Sequence, residues 1–182
     1  MIVKLKKTEL FEINEAYQKV LFWFFSFPNN EFSLNDLAEQ LKIAKTTARE
    51  VVKELVAAQF LKIETIGRLW RISCSQNHIY NFSRKISYNL MMIYESGILQ
   101  EIHNHVPNPK AVVLFGSYRK GDDTDRSDID IAVEVIGNQE LQIKPIGVFP
   151  KFGYRENVSV NLHIFSRNKI DINLFSNIAN GI

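Results

Sequence analysis

The stretch VVLFGSYRKGDDTDRSDIDIAV, residues 112–133, constrains the fold more than any other part of the sequence. It places one apolar strand directly before Gly116-Ser117 and a second around Asp128 and Asp130. Because strand side chains alternate between two faces, both aspartates are predicted to lie on one face, with Cα atoms roughly 6–7 Å apart. The isoleucine and valine residues around them then face the opposite side, toward a core.

This arrangement predicts a site for a divalent cation and a phosphate. Two carboxylates side by side repel each other, and a cation between them removes that repulsion. Hard oxygen ligands suit Mg²⁺, and Mn²⁺ accepts the same donors. Gly116 lets the backbone approach a ligand closely. The short helix predicted to begin at Ser117 offers free N–H groups to an anion.

Length and composition predict a globular protein of one medium or two small domains. The chain has 182 residues, of which 46% are hydrophobic and 23% charged. A lone Cys74 argues against a disulfide framework and an all-cysteine metal site. The apolar run Val20–Phe25 is too short to span a bilayer, and no signal-peptide pattern follows the first lysines. The expected location is therefore the cytoplasm.

Residues 1–77 are predicted to form three helices and a hairpin. Apolar spacing and turn residues divide the segment into Leu10–Phe27, Leu34–Leu41 and Lys45–Gln59 as helices, then Phe60–Glu64 and Leu69–Ile72 as strands. Ser33 and Asp36 are placed to form a capping box at the start of the second helix. The aromatic first helix fits either a homodimer contact or the interior of a monomer.

The stretch FSLNDLAEQLKIAKTTAREVVKELVAAQFLKIETIGRLWRI resembles the winged helix-turn-helix family. In that family the helix after the turn enters the major groove, which implies double-stranded DNA as a partner. The resemblance implies DNA contacts from the start of this helix and from the wing, through Lys45, Thr46, Thr47, Arg49, Lys53, Arg68 and Arg71. The alternative is a solvated face of a protein-binding scaffold, because Glu50 and Glu54 dilute the charge and the formal net charge is only +2.

Residues 78–106 are predicted to form one long linker helix between residues 1–77 and 107–182. Apolar residues recur at helical spacing from Ile79 to Ile102. Gly97 argues against this prediction, because a glycine in the middle of a helix destabilises it by about 1 kcal/mol relative to alanine. His103 and His105 fall on different faces of a helix, so a polar last turn is expected there instead of a metal pair.

Residues 107–182 hold the paired aspartates. Strands are predicted over Ile129–Ile136 and over Val158–Phe165, where apolar and polar residues alternate. A short helix is predicted over Asn168–Asn180. Between these strands, Leu141–Phe149 fits a strand or a loop. The predicted fold class is therefore α+β.

Gly116-Ser117, ten residues, and then Asp128-Ile129-Asp130 resemble the minimal branch of the nucleotidyltransferase superfamily, over about 75 residues. The resemblance implies an α/β domain with a mixed sheet, in which Gly116 and Ser117 bind a nucleoside triphosphate. It implies that Asp128 and Asp130 are catalytic and hold Mg²⁺ or Mn²⁺. A nucleoside monophosphate, with AMP from ATP expected, would pass to a hydroxyl acceptor. Some minimal nucleotidyltransferases are antitoxins that modify a partner toxin, so a protein acceptor is also implied.

One position departs from this family. Its third carboxylate lies in a pattern like Val-Asp-Leu, and the matching residues here are Val160-Asn161-Leu162. An amide can coordinate a metal but carries no charge and is a poor general base. His163 on the same face is a candidate for either role, and the other candidates for the missing carboxylate are Glu134, Glu140 and Glu156. The sequence thus leaves two hypotheses: an active transferase, or a DNA-binding regulator whose degenerate domain binds nucleotide without catalysis.

Overall fold

The computed structural model describes residues 15–182, which form an α+β structure with one two-stranded and one four-stranded sheet. The elements are α1 Glu15–Ser26, α2 Leu34–Leu41, α3 Lys45–Ala57, β1 Leu61–Ile66, β2 Leu69–Cys74, α4 Arg84–Glu95, α5 Ile98–His105, β3 Ala111–Phe115, α6 Gly116–Lys120, β4 Ile129–Glu134, β5 Gln142–Phe152, β6 Arg155–Phe165 and α7 Ile172–Ala179. The start of the predicted Leu10–Phe27 helix lies outside the described residues. Among the described helices, none has the length and apolar character needed to cross a membrane.

The first three helices and the β1–β2 hairpin share one apolar core. The predicted capping box is present, since Ser33 Oγ accepts from the Asp36 N–H at 3.2 Å and Asp36 Oδ2 accepts from the Ser33 N–H at 3.0 Å. The inward face of α3 is formed by Ala48, Val51, Val52 and Leu55, as the apolar spacing predicts. Strand β2 also pairs with the Phe32 backbone ahead of α2, which ties the hairpin to the helices.

The middle segment consists of two helices, so the prediction of one long helix over residues 78–106 is wrong. Residues 78–83 form turns, and α4 and α5 are separated at Gly97, which has a φ of 80°. Glycine adopts this left-handed conformation without steric cost, so α4 ends here and α5 begins directly after it. Helix α4 packs on both sides, with Tyr88 stacked on Phe22 at a ring distance of 4.4 Å and other residues against α6.

The second sheet is mixed, in the order β3-β4-β6-β5. Strand β4 runs parallel to β6, whereas the β3–β4 and β5–β6 pairs are antiparallel. The alternation predicted for residues 158–165 is confirmed, because β6 buries Val158, Val160, Leu162 and Ile164. The segment that fitted strand or loop is the edge strand β5, whose register shifts between Pro145 and Gly147. Helix α7 is shorter than the predicted Asn168–Asn180 helix.

Candidate active site

The two aspartates and Asn161 meet on one face of the mixed sheet. Asp128 directly precedes β4, and Asp130 pairs in register with Phe115 on β3 and with Asn161 on β6. Asn161 Nδ2 lies 3.5 Å from Asp128 Oδ2, at the outer limit of a hydrogen bond. Three oxygen-bearing side chains from two neighbouring strands therefore converge at the same end of the sheet.

Gly116 gives the Asp130 carboxylate the space it occupies. Its φ is 70°, and a Cβ atom at this position would lie 3.1 Å from Asp130 Oδ2. Any other residue would therefore meet both backbone strain and a close contact with the carboxylate. Gly116 and Ser117 also begin α6, so the Gly-Ser pair and the Asp-x-Asp pair are adjacent in the fold.

His163 faces Asp130 and is largely enclosed. Its Nε2 lies 3.1 Å from Asp130 Oδ1, and the ring meets Phe115 edge-on at 4.9 Å. The His163 side chain is only 13% exposed. With Nε2 as the donor, His163 holds one carboxylate oxygen of Asp130 and leaves Oδ2 for a ligand. Hydrogen bonds of this kind orient metal-binding carboxylates.

The three glutamates considered for the missing carboxylate lie elsewhere. Glu134 binds Arg167 at 2.6 and 3.2 Å, and this hydrogen-bonded charge lowers the pKa of Glu134. Glu140 pairs with Lys169 at 2.8 Å. Glu156 is exposed and lies near the start of β6, five positions before Asn161. Within residues 15–182, no three Asp, Glu, His or Cys side chains form a group that could hold a metal.

The donor set still fits a hard divalent cation. Mg²⁺ is usually bound through one or two carboxylates together with substrate phosphates and water, and Asp128 and Asp130 supply two. The side-chain amide of Asn161 can turn its oxygen toward the carboxylates, because its two ends differ only in donor and acceptor character. Such a site carries one negative charge less than a site with three carboxylates.

A buried polar cluster holds the loop that leads to Asp128. Lys85 Nζ donates to the Asp123 carbonyl at 2.5 Å and lies 3.3 Å from Asp123 Oδ1. Asn89 Nδ2 donates to Asp123 Oδ1 at 2.8 Å and to the Tyr118 carbonyl at 3.0 Å. Arg155 Nη2 donates to the backbone carbonyls of two loop residues, Asp125 at 3.1 Å and Ser127 at 2.6 Å. We name Lys85, Asn89, Tyr118, Asp123 and Arg155 the loop cluster.

Burial dominates the electrostatics of the loop cluster. Lys85 is 1% exposed and Asp123 is 2% exposed. Loss of solvation lowers the pKa of Lys85 and raises the pKa of Asp123, while each charge opposes the shift in the other. Burial likewise raises the pKa of the Tyr118 hydroxyl, which accepts a hydrogen bond from Arg155 Nη1. The loop cluster thus buries two cations, Lys85 and Arg155, beside one carboxylate and the carbonyl groups of the loop.

Sequence reasoning missed the loop cluster. It assigned Lys85 and Asn89 to a linker helix and gave Asp123 and Arg155 no role. The available signal was weak: Lys85 and Asn89 are four residues apart on a helix whose neighbouring residues are apolar. Their partners lie 29 to 38 residues away along the chain.

Most of the side chains predicted to contact DNA are exposed, and three of them line one hollow. The exposed residues are Lys45, Thr46, Arg49 and Lys53 on α3 and Arg68 at the hairpin turn. Thr47 is half-buried. Arg49 stacks over Trp70 at 5.0 Å, and both line a hollow with Lys45 and Arg68. We call Lys45, Arg49 and Arg68 the basic surface. Arg71 is engaged by Glu31 and Glu64, each at 3.3 Å.

Comparison with known families identifies the region that contains the paired aspartates. Residues 98–181 match the model of the family described as Polymerase beta, Nucleotidyltransferase. The match supports the nucleotidyltransferase part of the predicted organisation and includes Gly116, Ser117, Asp128 and Asp130. No curated protein matches the sequence.

Proposed function

We propose that the protein transfers a nucleoside monophosphate, AMP from ATP in the first instance, to a hydroxyl group of an acceptor. The observation that carries this proposal is the meeting of Asp128, Asp130 and Gly116 at one end of the sheet, with Asp130 Oδ2 over the glycine. The family match over residues 98–181 supports it independently. A protein hydroxyl, such as one on a partner toxin, belongs to the acceptors that this chemistry accommodates.

Transfer forms a bond between the acceptor oxygen and the α-phosphorus and breaks the bond to the β-phosphate. Pyrophosphate leaves with the bonding electrons. A bound Mg²⁺ would supply charge neutralisation at the phosphates and lower the pKa of the attacking hydroxyl. Asp128 and Asp130, with the Asn161 oxygen, would hold that ion. Gly116 and Ser117 would lie against the triphosphate, because they adjoin Asp130.

Within residues 15–182, neither Asn161 nor His163 is placed to take the acceptor proton as a base. Asn161 cannot take a proton at neutral pH, and His163 Nε2 faces Asp130 at 3.1 Å. The proton would therefore pass to solvent. Slow transfer follows from this arrangement, since positioned acid–base groups contribute about 10²–10⁴-fold to such reactions.

Labelled ATP tests the proposal. The protein is incubated with Mg²⁺, cell extract and ATP that carries the label on either the α- or the γ-phosphate. Relative to extract alone, we expect the protein to add label from the α-position, and none from the γ-position, to a macromolecule or small molecule of the extract. Asp128→Asn should abolish the labelling. Retained ATP binding without any labelled acceptor would count against transfer.

Restoring the third carboxylate gives a sharper test of the same site. Asn161→Asp should increase labelling, because it adds the negative charge and the basic oxygen that the site lacks. Asn168→Asp is the matched control, since Asn168 is exposed and bonded to Asn138. Equal labelling by the Asn161→Asp variant and the unmodified protein would show that Asn161 does not limit the reaction.

A second function, DNA binding by a winged helix-turn-helix with the C-terminal domain as a nucleotide sensor, is favoured by the basic surface. Lys45, Arg49 and Arg68 are exposed together beside Trp70. Exposed Lys and Arg can bind phosphates without a fixed geometry, and α3 follows the turn as a recognition helix does. In this function Asp128 and Asp130 hold a metal ion that binds the nucleotide. Transfer does not follow, because Asn161 stands in the place of the third carboxylate.

A gel-shift titration tests the second function. Genomic fragments are titrated with protein at two salt concentrations, with and without ATP and Mg²⁺. Binding should weaken as salt increases, because phosphate contacts release counterions. A change in affinity on adding ATP and Mg²⁺ is expected for a sensor. No retained fragment at the lower salt concentration would contradict DNA binding.

A further inference from the structure

The position of Asp128 depends on the residues that precede it. Asp128 is exposed, and its carboxylate meets Asn161 only at 3.5 Å. The preceding loop, residues 121–127, has little regular structure, although Ser127 Oγ accepts from the Thr124 N–H at 2.9 Å. A carboxylate at the end of such a loop is well placed for a metal only if other groups fix the loop.

Helix α4 fixes the first half of this loop. Lys85 and Asn89, one helical turn apart, both reach Asp123, at its carbonyl and its carboxylate. Asn89 also binds the Tyr118 carbonyl in α6, directly after the Gly-Ser pair. Lys85, Asn89 and Asp123 are each only 1–2% exposed, so water does not compete for these bonds.

Strand β6 fixes the second half. Arg155 is 5% exposed, and its Nη2 bridges the carbonyls of Asp125 and Ser127, three and one positions before Asp128. Its Nη1 donates to the Tyr118 hydroxyl, and its guanidinium lies 5.4 Å from the Tyr118 ring centre. One planar fork thus reaches the loop and α6 together, which the single ammonium of a lysine cannot reproduce.

We infer that Lys85, Asn89 and Arg155 are positioning residues, which hold loop 121–127 and thereby set the place of Asp128. Each of the three acts through the loop backbone, Tyr118 or Asp123. The inference extends the proposed function, since a metal held by Asp128 and Asp130 is what the positioning serves. It assigns a role in the site to a helix, α4, that precedes the residues matching the nucleotidyltransferase family.

Two variants and one control test the inference. Arg155→Lys keeps the charge and removes the fork, and Asn89→Leu removes the amide at similar volume. Ile164→Ala is the control, because Ile164 is buried at the far end of the same strand as Arg155 and should destabilise the fold without touching the loop. Thermal melting of all three separates general destabilisation from a local effect.

Hydrogen exchange of the loop is the readout that does not need a metal. The amides of Gly121, Thr124, Arg126 and Ser127 all have acceptors in the native fold, so their exchange reports whether the loop is held. We compare variants that have lost the same number of degrees in melting temperature. Among these, the amides of residues 121–128 should exchange faster in Arg155→Lys and in Asn89→Leu than in Ile164→Ala. Equal exchange in all three would overturn the inference.

Metal affinity is the second readout, by Mn²⁺ titration in the presence of ATP. Loss of a group that orients a metal ligand typically weakens binding about 10–100-fold, so at least about tenfold is expected for both loop variants. Affinity equal to that of the Ile164→Ala control would overturn the inference. If the unmodified protein binds neither Mn²⁺ nor ATP, the proposed function fails, and the exchange measurement alone decides whether these residues hold the loop.

Discussion

The acidic site around Asp128 and Asp130 differs from the basic surface on α3 in how its side chains are held. Asp130 lies between His163 and the space above Gly116, and the loop before Asp128 is bound by the loop cluster. Lys45, Arg49 and Arg68 are exposed, and the Arg49 guanidinium lies over the Trp70 ring. The side chains of the acidic site are therefore held by other groups of the protein, whereas those of the basic surface extend into solvent.

This difference teaches what each region is suited to do. Chemistry at a phosphorus atom needs ligands within a fraction of an ångström of their working positions, and such precision requires buried, satisfied neighbours. Neutralising a polyanion needs positive charge at roughly the right place, and long flexible side chains provide it. Substitutions should accordingly have sharp effects near the acidic site and graded effects on the basic surface.

The largest effect is expected from Lys85→Met, which leaves Asp123 buried without its cation. Breaking one partner of a buried ion pair costs about 3–5 kcal/mol, and urea titration measures this loss in the free energy of unfolding. Lys62→Met on the exposed face of β1 is the control and should change stability by no more than about 0.5 kcal/mol. A similar loss of unfolding free energy in both variants would show that the buried charge of Lys85 contributes no more to stability than an exposed one.

Asp130→Asn should weaken Mn²⁺ binding in the presence of ATP at least about 100-fold, because even groups that only orient a ligand contribute about 10–100-fold. The amide keeps the shape of the side chain and removes its charge. Glu134→Gln changes a carboxylate on the same strand face that is engaged by Arg167, and it should leave metal binding intact. Metal binding retained by Asp130→Asn would place the ion elsewhere.

Gly116→Ala and Gly97→Ala form a matched pair, since both glycines have φ near 70–80°. Each alanine should cost roughly 1–2 kcal/mol in the free energy of unfolding, because a side chain in this conformation is strained. Only position 116 has a carboxylate oxygen beside the new Cβ, while nothing lies within 4 Å at position 97. Mn²⁺ binding should therefore fall in Gly116→Ala alone. An equal fall in both variants would mean that strain, and not the contact with Asp130, governs the site.

The smallest effect is expected from Arg49→Gln on the basic surface. Removal of one phosphate contact should lower the slope of log affinity against log salt by about 0.9, with a modest loss of DNA affinity. Nucleotide transfer should not change. Lys151→Gln on the exposed strand β5 serves as the control for lost charge. Loss of all DNA binding in Arg49→Gln would show that this surface, too, depends on a fixed contact.

The sequence predicted those features that depend on local pattern. The β4 and β6 strands followed from alternation, and the placement of Asp128 and Asp130 followed from strand geometry. Helix α2 followed from its apolar spacing and the Ser33–Asp36 capping box. Each of these is decided by residues within a few positions of one another, where periodicity and capping act.

Features that depend on distant partners were not predictable in this way. The break between α4 and α5 was visible only as one glycine, and β5 does not alternate because it is exposed on both faces along most of its length. The loop cluster joins residues from α4, α6, the loop and β6. A buried lysine and a solvated lysine look the same in one sequence, so Lys85 showed its role only when its neighbours were known.

The open edge of the mixed sheet has a consequence for the behaviour of the protein in concentrated solution. An edge strand with free N–H and C=O groups can pair with the same strand of another molecule and start aggregation. Strand β5 contains two residues without an N–H, Pro145 and Pro150, and its register shifts before Gly147. Lys144 and Lys151 add like charges that repel a second copy. We therefore expect sheet-to-sheet polymerisation through this edge to be disfavoured.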